Sequence, residues 1–228
     1  MRPQLQRVGT NESPVVIIDE FSGAAEDIGR IADFLAPFPP SQGNYYPGVR
    51  RKIGQADRQA YSYVVESCER AAPFIGGAFE VDGFDLGEAS FSVVATPPNA
   101  LGLLQRAPHF DATHEKLFAL LHYLRVPPGT GTAFYRHRST GIERVTEANR
   151  AQFLSVVTRE MSALGEDSGY INGSNEFFEQ IGRVDAVPDR LIIYYGNLLH
   201  SGIIPIDMPL SSDPSRGRLT ANLFVIGR

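Results

Sequence analysis

The sequence predicts a mainly β chain with flanking helices (α+β), its strands arranged as an antiparallel sandwich or barrel. Three observations carry that reading. From residue 79 onward, short apolar or alternating segments recur between Gly and Pro turns. Helical spacing is confined to two stretches before that point and one after it. The 228 residues are 43% hydrophobic and 21% charged, the balance of an ordered globular chain. Divided by about 150 residues per domain, this length is one domain for a mainly β chain, so 1–228 is read as a single unit.

The elements follow in order. Residues 15–18 are the β-branched run Val15-Val16-Ile17-Ile18, a buried strand. Residues 24–35 place Ile28, Ile31 and Leu35 on one helical face, and Pro37, Pro39 and Pro40 end that helix. Residues 41–54 are a loop rich in Gly, Pro, Tyr and Arg, in which Tyr45, Tyr46, Arg50 and Arg51 either cover a pocket or pack as an Ω-loop. Residues 56–74 are a second helix, with Tyr61, Val64, Val65, Cys68 and Ala72 at helical spacing. The strand and helices of 14–75 are expected to pack outside a β unit spanning 78–228. Its strands are expected at 79–86, 89–96, 108–113, 117–126, 132–138, 190–195, 199–204 and 219–226. A helix over 146–164, with Thr146 as N-cap, lies inside an apparent insertion at 139–189 that also holds the polar run 168–176.

Composition excludes several chemistries. A formal charge of −5 argues against a protein built to hold phosphate backbones, so no nucleic acid is expected. One cysteine, Cys68, rules out an internal disulfide and a multi-cysteine metal site, and its helical setting makes it a small core residue. No apolar run is long enough for a signal peptide or a membrane span, so the expected place is the cytoplasm, with no membrane partner. The oligomeric state is not readable.

Five histidines remain as metal-ligand candidates. His109 and Asp111, two apart on an extended segment, point to one side and can grip one ion together. Alone, that pair is also what a local hydrogen bond at a strand end looks like. His200 follows the apolar strand 191–195 and a turn at Gly196-Asn197. Two imidazoles and one carboxylate on one face of a metal leave three positions open, which suits non-haem iron(II). Arg218 and Thr220 share a strand face, and an arginine fork beside a hydroxyl can hold a carboxylate; a surface salt bridge is the plainer reading. His114, five residues from His109, is expected in solvent. His122 is expected to be a satisfied core histidine. His137, beside Tyr135, is either a solvated strand end or a contact for an acidic substrate.

The order of these pieces resembles the iron(II)/2-oxoglutarate dioxygenase superfamily, most closely its prolyl-4-hydroxylase-like branch. The resemblance rests on His109-Phe110-Asp111, then the apolar strand ending Tyr123-Leu124, then Gly129-Thr130-Gly131-Thr132-Ala133-Phe134, then His200 and Arg218-Leu219-Thr220. The opening run 15–21 is similar to the first strand of many such domains. The runs 131–137 and 46–50 point to a bacterial subgroup. The match covers about half the chain, mainly 105–135 and 189–226. It implies a double-stranded β-helix, a cupin-like jelly roll. It implies iron(II) held by His109, Asp111 and His200, and 2-oxoglutarate held through its distal carboxylate by Arg218 and Thr220, with Tyr123 a further candidate for that pocket. Dioxygen is the remaining cosubstrate. The implied reaction is hydroxylation of a C–H bond in a peptidyl, amino-acid or small-metabolite substrate, with Tyr135 and His137 as candidate substrate contacts. One departure is the Pro-rich loop 205–217, which separates His200 from Arg218 and leaves the placement of Arg218 to strand pairing. Two other readings stand beside this one: a non-catalytic cupin-like binding or scaffolding protein, and a zinc hydrolase using the same three ligands.

Overall fold

The computed structural model describes residues 2–41, 46–163 and 169–228. Tyr45 and Leu164, and Ser168 at the start of the polar run, lie outside the described residues.

Among the described residues, ten strands and three α-helices are formed. The strands are β1 (Arg2–Val8), β2 (Ser13–Asp19), β3 (Gly48–Lys52), β4 (Phe84–Val94), β5 (Leu117–Arg125), β6 (Gly131–His137), β7 (Phe178–Asp185), β8 (Arg190–Tyr195), β9 (His200–Ile203) and β10 (Arg218–Gly227). The helices are α1 (Ala25–Phe34), α2 (Arg58–Phe79) and α3 (Glu147–Ala163). Seven strands form one antiparallel sheet in the order β1-β2-β8-β5-β10-β4-β3, and three form a second in the order β7-β6-β9.

Period-two alternation builds the layers. On the large sheet, Val16, Ile18, Phe91, Val93, Phe118, Leu120, Leu191, Ile193, Leu219 and Leu223 face one side. There they pack with Ile28 and Ala32 of α1 and Val64, Ala71 and Ile75 of α2. The alternate residues Val15, Ile17, Ala119, Leu121, Tyr123, Ile192 and Tyr194 face the other side, against Phe134 of β6 and Val184 of β7. The small sheet covers that second face, and its own far side packs on Phe153, Val157 and Met161 of α3.

Several expected elements are placed differently. Residues 79–86 are not a strand throughout. α2 runs on through Pro73 to Phe79 because Ile75 and Phe79 are buried under the sheet, where the Phe79 ring lies 4.6 Å from Phe118. The chain then turns at Glu80 and forms one long strand, β4, in place of two. The loop 41–54 contains β3, which pairs with β4 from Gly48↔Val94 to Lys52↔Ser90. The stretch ahead of residue 13 forms β1, an edge strand. The apparent insertion 139–189 is only partly one: α3 begins directly after Thr146, but β7 is paired to β6 along its length. Residues 108–113 form no strand, since only His109 finds a backbone ladder partner. Loop 205–217 closes on itself, Gly217 donating to the Asp213 carbonyl at 2.8 Å, and Arg218 enters β10 opposite Val94. No helix among the described residues is long and apolar enough to cross a membrane.

Candidate metal centre and cosubstrate pocket

The β8–β9 connection and the loop before β5 meet through backbone bonds. His109 N–H donates to the His200 carbonyl and His200 N–H to the His109 carbonyl, each at 2.9 Å; Asp111 N–H donates to the Gly196 carbonyl at 2.7 Å. These three bonds bring His109, Asp111 and His200 together, with ligand atoms all within 4.8 Å of one another. His200 Nε2 lies 3.7 Å from an Asp111 carboxylate oxygen, and the two imidazole centroids are 4.3 Å apart.

The protonation pattern suits metal ligation. His200 Nδ1 lies 2.8 Å from the Leu198 carbonyl, which can only accept, so the proton sits on Nδ1 and the Nε2 lone pair faces Asp111. Burial, reinforced by His200 and Arg50, pushes His109 well below the usual histidine range, which favours the neutral ligand form. Burial raises the Asp111 carboxyl, opposed by His200 and Arg50; its side chain is only 17% exposed. Tyr194 sits edge-on to His200 at 4.8 Å and holds that ring from the sheet side.

The inner face of the large sheet supplies the next part of the cavity. Arg218, Thr220, Asn222 and Phe224 alternate along β10 and line it with His109, Asp111 and His200. Arg218 is 4% exposed, donates from Nη2 to the Gly131 carbonyl at 3.2 Å, and has no acceptor for Nε. It has no carboxylate partner among the described residues. A buried guanidinium without a counter-ion is costly, and an anionic ligand removes that cost. Asn222 donates to Ser92 Oγ at 2.9 Å and to Thr220 Oγ1 at 3.3 Å, which fixes the Thr220 hydroxyl in the wall.

Other predicted residues lie elsewhere. Tyr123 is fully buried behind the wall; its hydroxyl pairs with the lining Thr132 at 2.7 Å, and its ring lies 5.6 Å from the Arg218 Cζ. Its geometry is that of a support for Arg218 and Thr132. Tyr135 and His137 are not at the cavity. Both are buried on the α3 side of β6, where His137 bonds Glu160 of α3 at 2.6 Å and Thr140 at 2.8 Å. The helix that follows β6 claims the strand end that looked solvated. His114 is exposed. His122 is a core residue, between Tyr63 of α2 at 2.9 Å and Asp189 at 3.0 Å. Cys68 is half-buried, its thiol pushed up to about 11 by burial.

Tyr46, Arg50, Thr132 and Tyr194 also line the cavity. The sequence marks Tyr46 and Arg50 as residues of a loop that could cover a pocket, and Thr132 as part of the family-like turn. Tyr194 was legible as the inward partner of Ile192 in an alternating strand, but nothing marked it as a neighbour of His200.

A family of unknown function (DUF6445) matches residues 1–225. No curated protein matches the chain. Solved structures with a similar fold include SnoN, a non-haem α-ketoglutarate-dependent epimerase from nogalamycin biosynthesis. Its TM-score is 0.56 at 12% identity, covering 95% of this chain and 80% of that one. A prolyl-4-hydroxylase from Pseudomonas putida has a TM-score of 0.52 at 12% identity, covering 96% and 95%. HygX from Streptomyces hygroscopicus, solved with nickel and 2-oxoglutarate bound, has a TM-score of 0.54 at 10% identity, covering 95% and 84%. At these identities the likeness is one of fold, that of iron- and 2-oxoglutarate-dependent oxygenases. With nearly its whole length matched, the chain belongs to the family of unknown function DUF6445.

Proposed function

We propose that this protein is an iron(II)- and 2-oxoglutarate-dependent oxygenase of the prolyl-4-hydroxylase-like branch, in a bacterial subgroup of it, built on a single jelly-roll domain. One observation carries the reading: a cluster of two histidines and one carboxylate opens onto the same cavity as a buried arginine that has no carboxylate partner among the described residues. That donor set leaves several metal positions free, as a metal taking both a chelating cosubstrate and dioxygen requires.

The chemistry that iron and 2-oxoglutarate supply when bound is oxidative: dioxygen is consumed, 2-oxoglutarate becomes succinate and carbon dioxide, and a substrate C–H bond is hydroxylated. The chain's own residues hold and orient. His109, Asp111 and His200 would ligate the metal, the Leu198 carbonyl keeping the His200 Nε2 lone pair aimed at it. Arg218 and Thr220 would hold the distal carboxylate of 2-oxoglutarate, with Tyr123 and Thr132 fixing the wall behind them. Ala119, Leu121 and Val94 keep the inner end apolar and poor in water. Beyond the metal cluster, an outer groove of about 700 Å³, lined by Phe110, Thr113, Leu154 and Phe224, is the place for a peptidyl or small-molecule substrate.

The test is 2-oxoglutarate-dependent succinate formation by iron(II)-reconstituted protein in air, with a thermal scan of manganese-loaded protein with and without 2-oxoglutarate. Turnover and a raised Tm are expected, because a ligand that binds only the folded state stabilises it. Stabilisation without turnover points to the binding-protein reading. The absence of both effects would overturn the binding-protein reading and the oxygenase reading together.

A further inference from the structure

Arg50 occupies a position the cosubstrate does not explain. It lies on β3, at the edge of the large sheet, in one cross-strand row: Arg50 pairs with Ser92, Ser92 with Thr220 and Thr220 with Tyr123. Its Nε donates to Ser92 Oγ at 3.0 Å, and its guanidinium stacks 4.6 Å from the centre of the Tyr46 ring. The side chain is therefore fixed, with stacking on one face and a hydrogen bond at its inner edge. Among the described residues, the two Nη groups have no acceptor and no carboxylate lies within ion-pair distance of them.

The location is equally specific. Arg50 lines both the inner cavity and the outer groove, as do Tyr46, His109 and Asp111, whereas Arg218 lines only the inner cavity. Arg50 thus stands beside the metal cluster, where the cosubstrate space ends and the outer groove begins. The three acidic residues of that groove are already engaged: Glu88 pairs with Lys52, Glu147 accepts from Thr113, and Asp111, whose charge Arg50 also feels, belongs to the metal cluster. Arg150, the other cation there, is exposed on α3. One held, half-buried cation facing an open groove matches a singly charged planar anion. A phosphate dianion would call for more fixed positive charge than this groove presents.

Building on the oxygenase reading, we propose that Arg50 is the anchor for a carboxylate of the primary substrate, which makes the substrate class a small carboxylic acid held with its reacting carbon over the metal. Tyr46 and Ser92 position the fork, and the two Nη groups bind the carboxylate oxygens.

The test uses manganese-loaded protein with 2-oxoglutarate, the free amino acids and short aliphatic acids as probes, and their primary amides and organic phosphate monoesters as comparisons. Acids are expected to raise the Tm of the loaded wild type beyond the 2-oxoglutarate effect, while the amides do not. In Arg50→Gln the 2-oxoglutarate effect is expected to survive, but acid affinity to fall at least about tenfold, as for removal of one partner of a charged hydrogen-bonded pair. Arg50→Lys, which keeps the charge and loses the fork, is expected to fall between the two. Loss of the 2-oxoglutarate effect in correctly folded Arg50→Gln would assign Arg50 to the cosubstrate and overturn the proposal. So would equal shifts by acids and amides, shifts by phosphate esters alone, or no acid effect on wild type that responds to 2-oxoglutarate. Wild type that does not respond to manganese and 2-oxoglutarate at all counts against the oxygenase reading itself, a result separable from the others.

Discussion

His109 and His200 are joined by a pair of reciprocal backbone hydrogen bonds, each 2.9 Å long, although they are neighbours in no continuous strand. This isolated bridge sets their imidazole centroids 4.3 Å apart and brings Asp111 to the same point. Backbone hydrogen bonds, not side chains, therefore align the candidate ligands.

It follows that removing one imidazole leaves the fold intact and removes the ion. His109→Ala and His200→Ala are each expected to keep a wild-type circular dichroism spectrum while losing at least about 100-fold in manganese affinity, more than the loss of a supporting group costs. His114→Ala, altered at an exposed histidine, serves as the control and should titrate like wild type. Elemental analysis after dialysis reads the outcome; a metal content equal to wild type in His109→Ala would refute the ligand set.

Arg218 offers a separation of stability from binding. Arg218→Met removes a buried guanidinium whose Nε has no partner, so the ligand-free protein is expected to be no less stable than wild type. Its affinity for 2-oxoglutarate is expected to fall at least about 30-fold by calorimetric titration of manganese-loaded protein. A large loss of ligand-free Tm with unchanged affinity would make Arg218 a structural residue.

The acid side of the stability curve is expected to be set in part by His122 and Asp189. Burial drives His122 below its ordinary value, against the pull of Asp189. Burial also pushes the Asp189 carboxyl up, but hydrogen bonds from His122, from the Ser22 hydroxyl and N–H and from the Gly23 N–H outweigh it and hold the group well below the carboxylate range. Both native groups bind fewer protons than their unfolded counterparts, so stability rises with pH through both titrations. The contribution from His122 is full above about pH 6.5 and declines below it; that from Asp189 is full above about pH 3.9 and is lost as pH falls through its lower native value. Asp189→Asn is a clean probe, because φ is 63° at this position and asparagine tolerates the left-handed conformation. Chemical denaturation should show it about 1–3 kcal/mol less stable at neutral pH and less sensitive to acid below about pH 3.9, where the wild-type Asp189 contribution is lost. An unchanged pH profile would remove Asp189 from this account.

Gly131 links sheet packing to the cosubstrate pocket. A Cβ there would lie 2.4 Å from the Val184 carbonyl oxygen on the neighbouring strand, and the Gly131 carbonyl is the acceptor for Arg218. Since the obstacle is backbone, Gly131→Ala must displace β6 from β7, at a cost of about 1–3 kcal/mol. Both Tm and 2-oxoglutarate affinity are expected to fall; a variant matching wild type in both would show that the strand pair yields freely.

Sequence reading located most strands of the large sheet because their apolar faces alternate, and it selected His109, Asp111, His200, Arg218 and Thr220, which line one cavity. What it missed depends on tertiary contact. Phe79 looks like the start of a strand until the sheet beneath it draws it into α2. β7 is hidden because only Phe178 and Val184 along it are deeply buried, too sparse a pattern to read as a strand. His137 looks polar and open because the partner that buries it, Glu160, comes from a helix 23 residues away in sequence. Tyr123 carries the right residue type, but its hydroxyl is taken by Thr132, a pairing that only cross-sheet geometry reveals.

The strand order leaves β1 and β3 as the two outer strands of the large sheet. Outer strands invite self-association, because their free backbone groups can template a second chain. Here one border carries Arg2, Pro3 and Arg7, and the other Arg50, Arg51 and Lys52. On the β3 border the chain itself covers those groups: Arg50 N–H donates to the Pro39 carbonyl at 2.9 Å, and Ser41 N–H to the Gly48 carbonyl at 3.0 Å. The strand that delivers Arg50 to the cavity is thus closed to a further strand along residues 48–50 by the chain's own preceding segment.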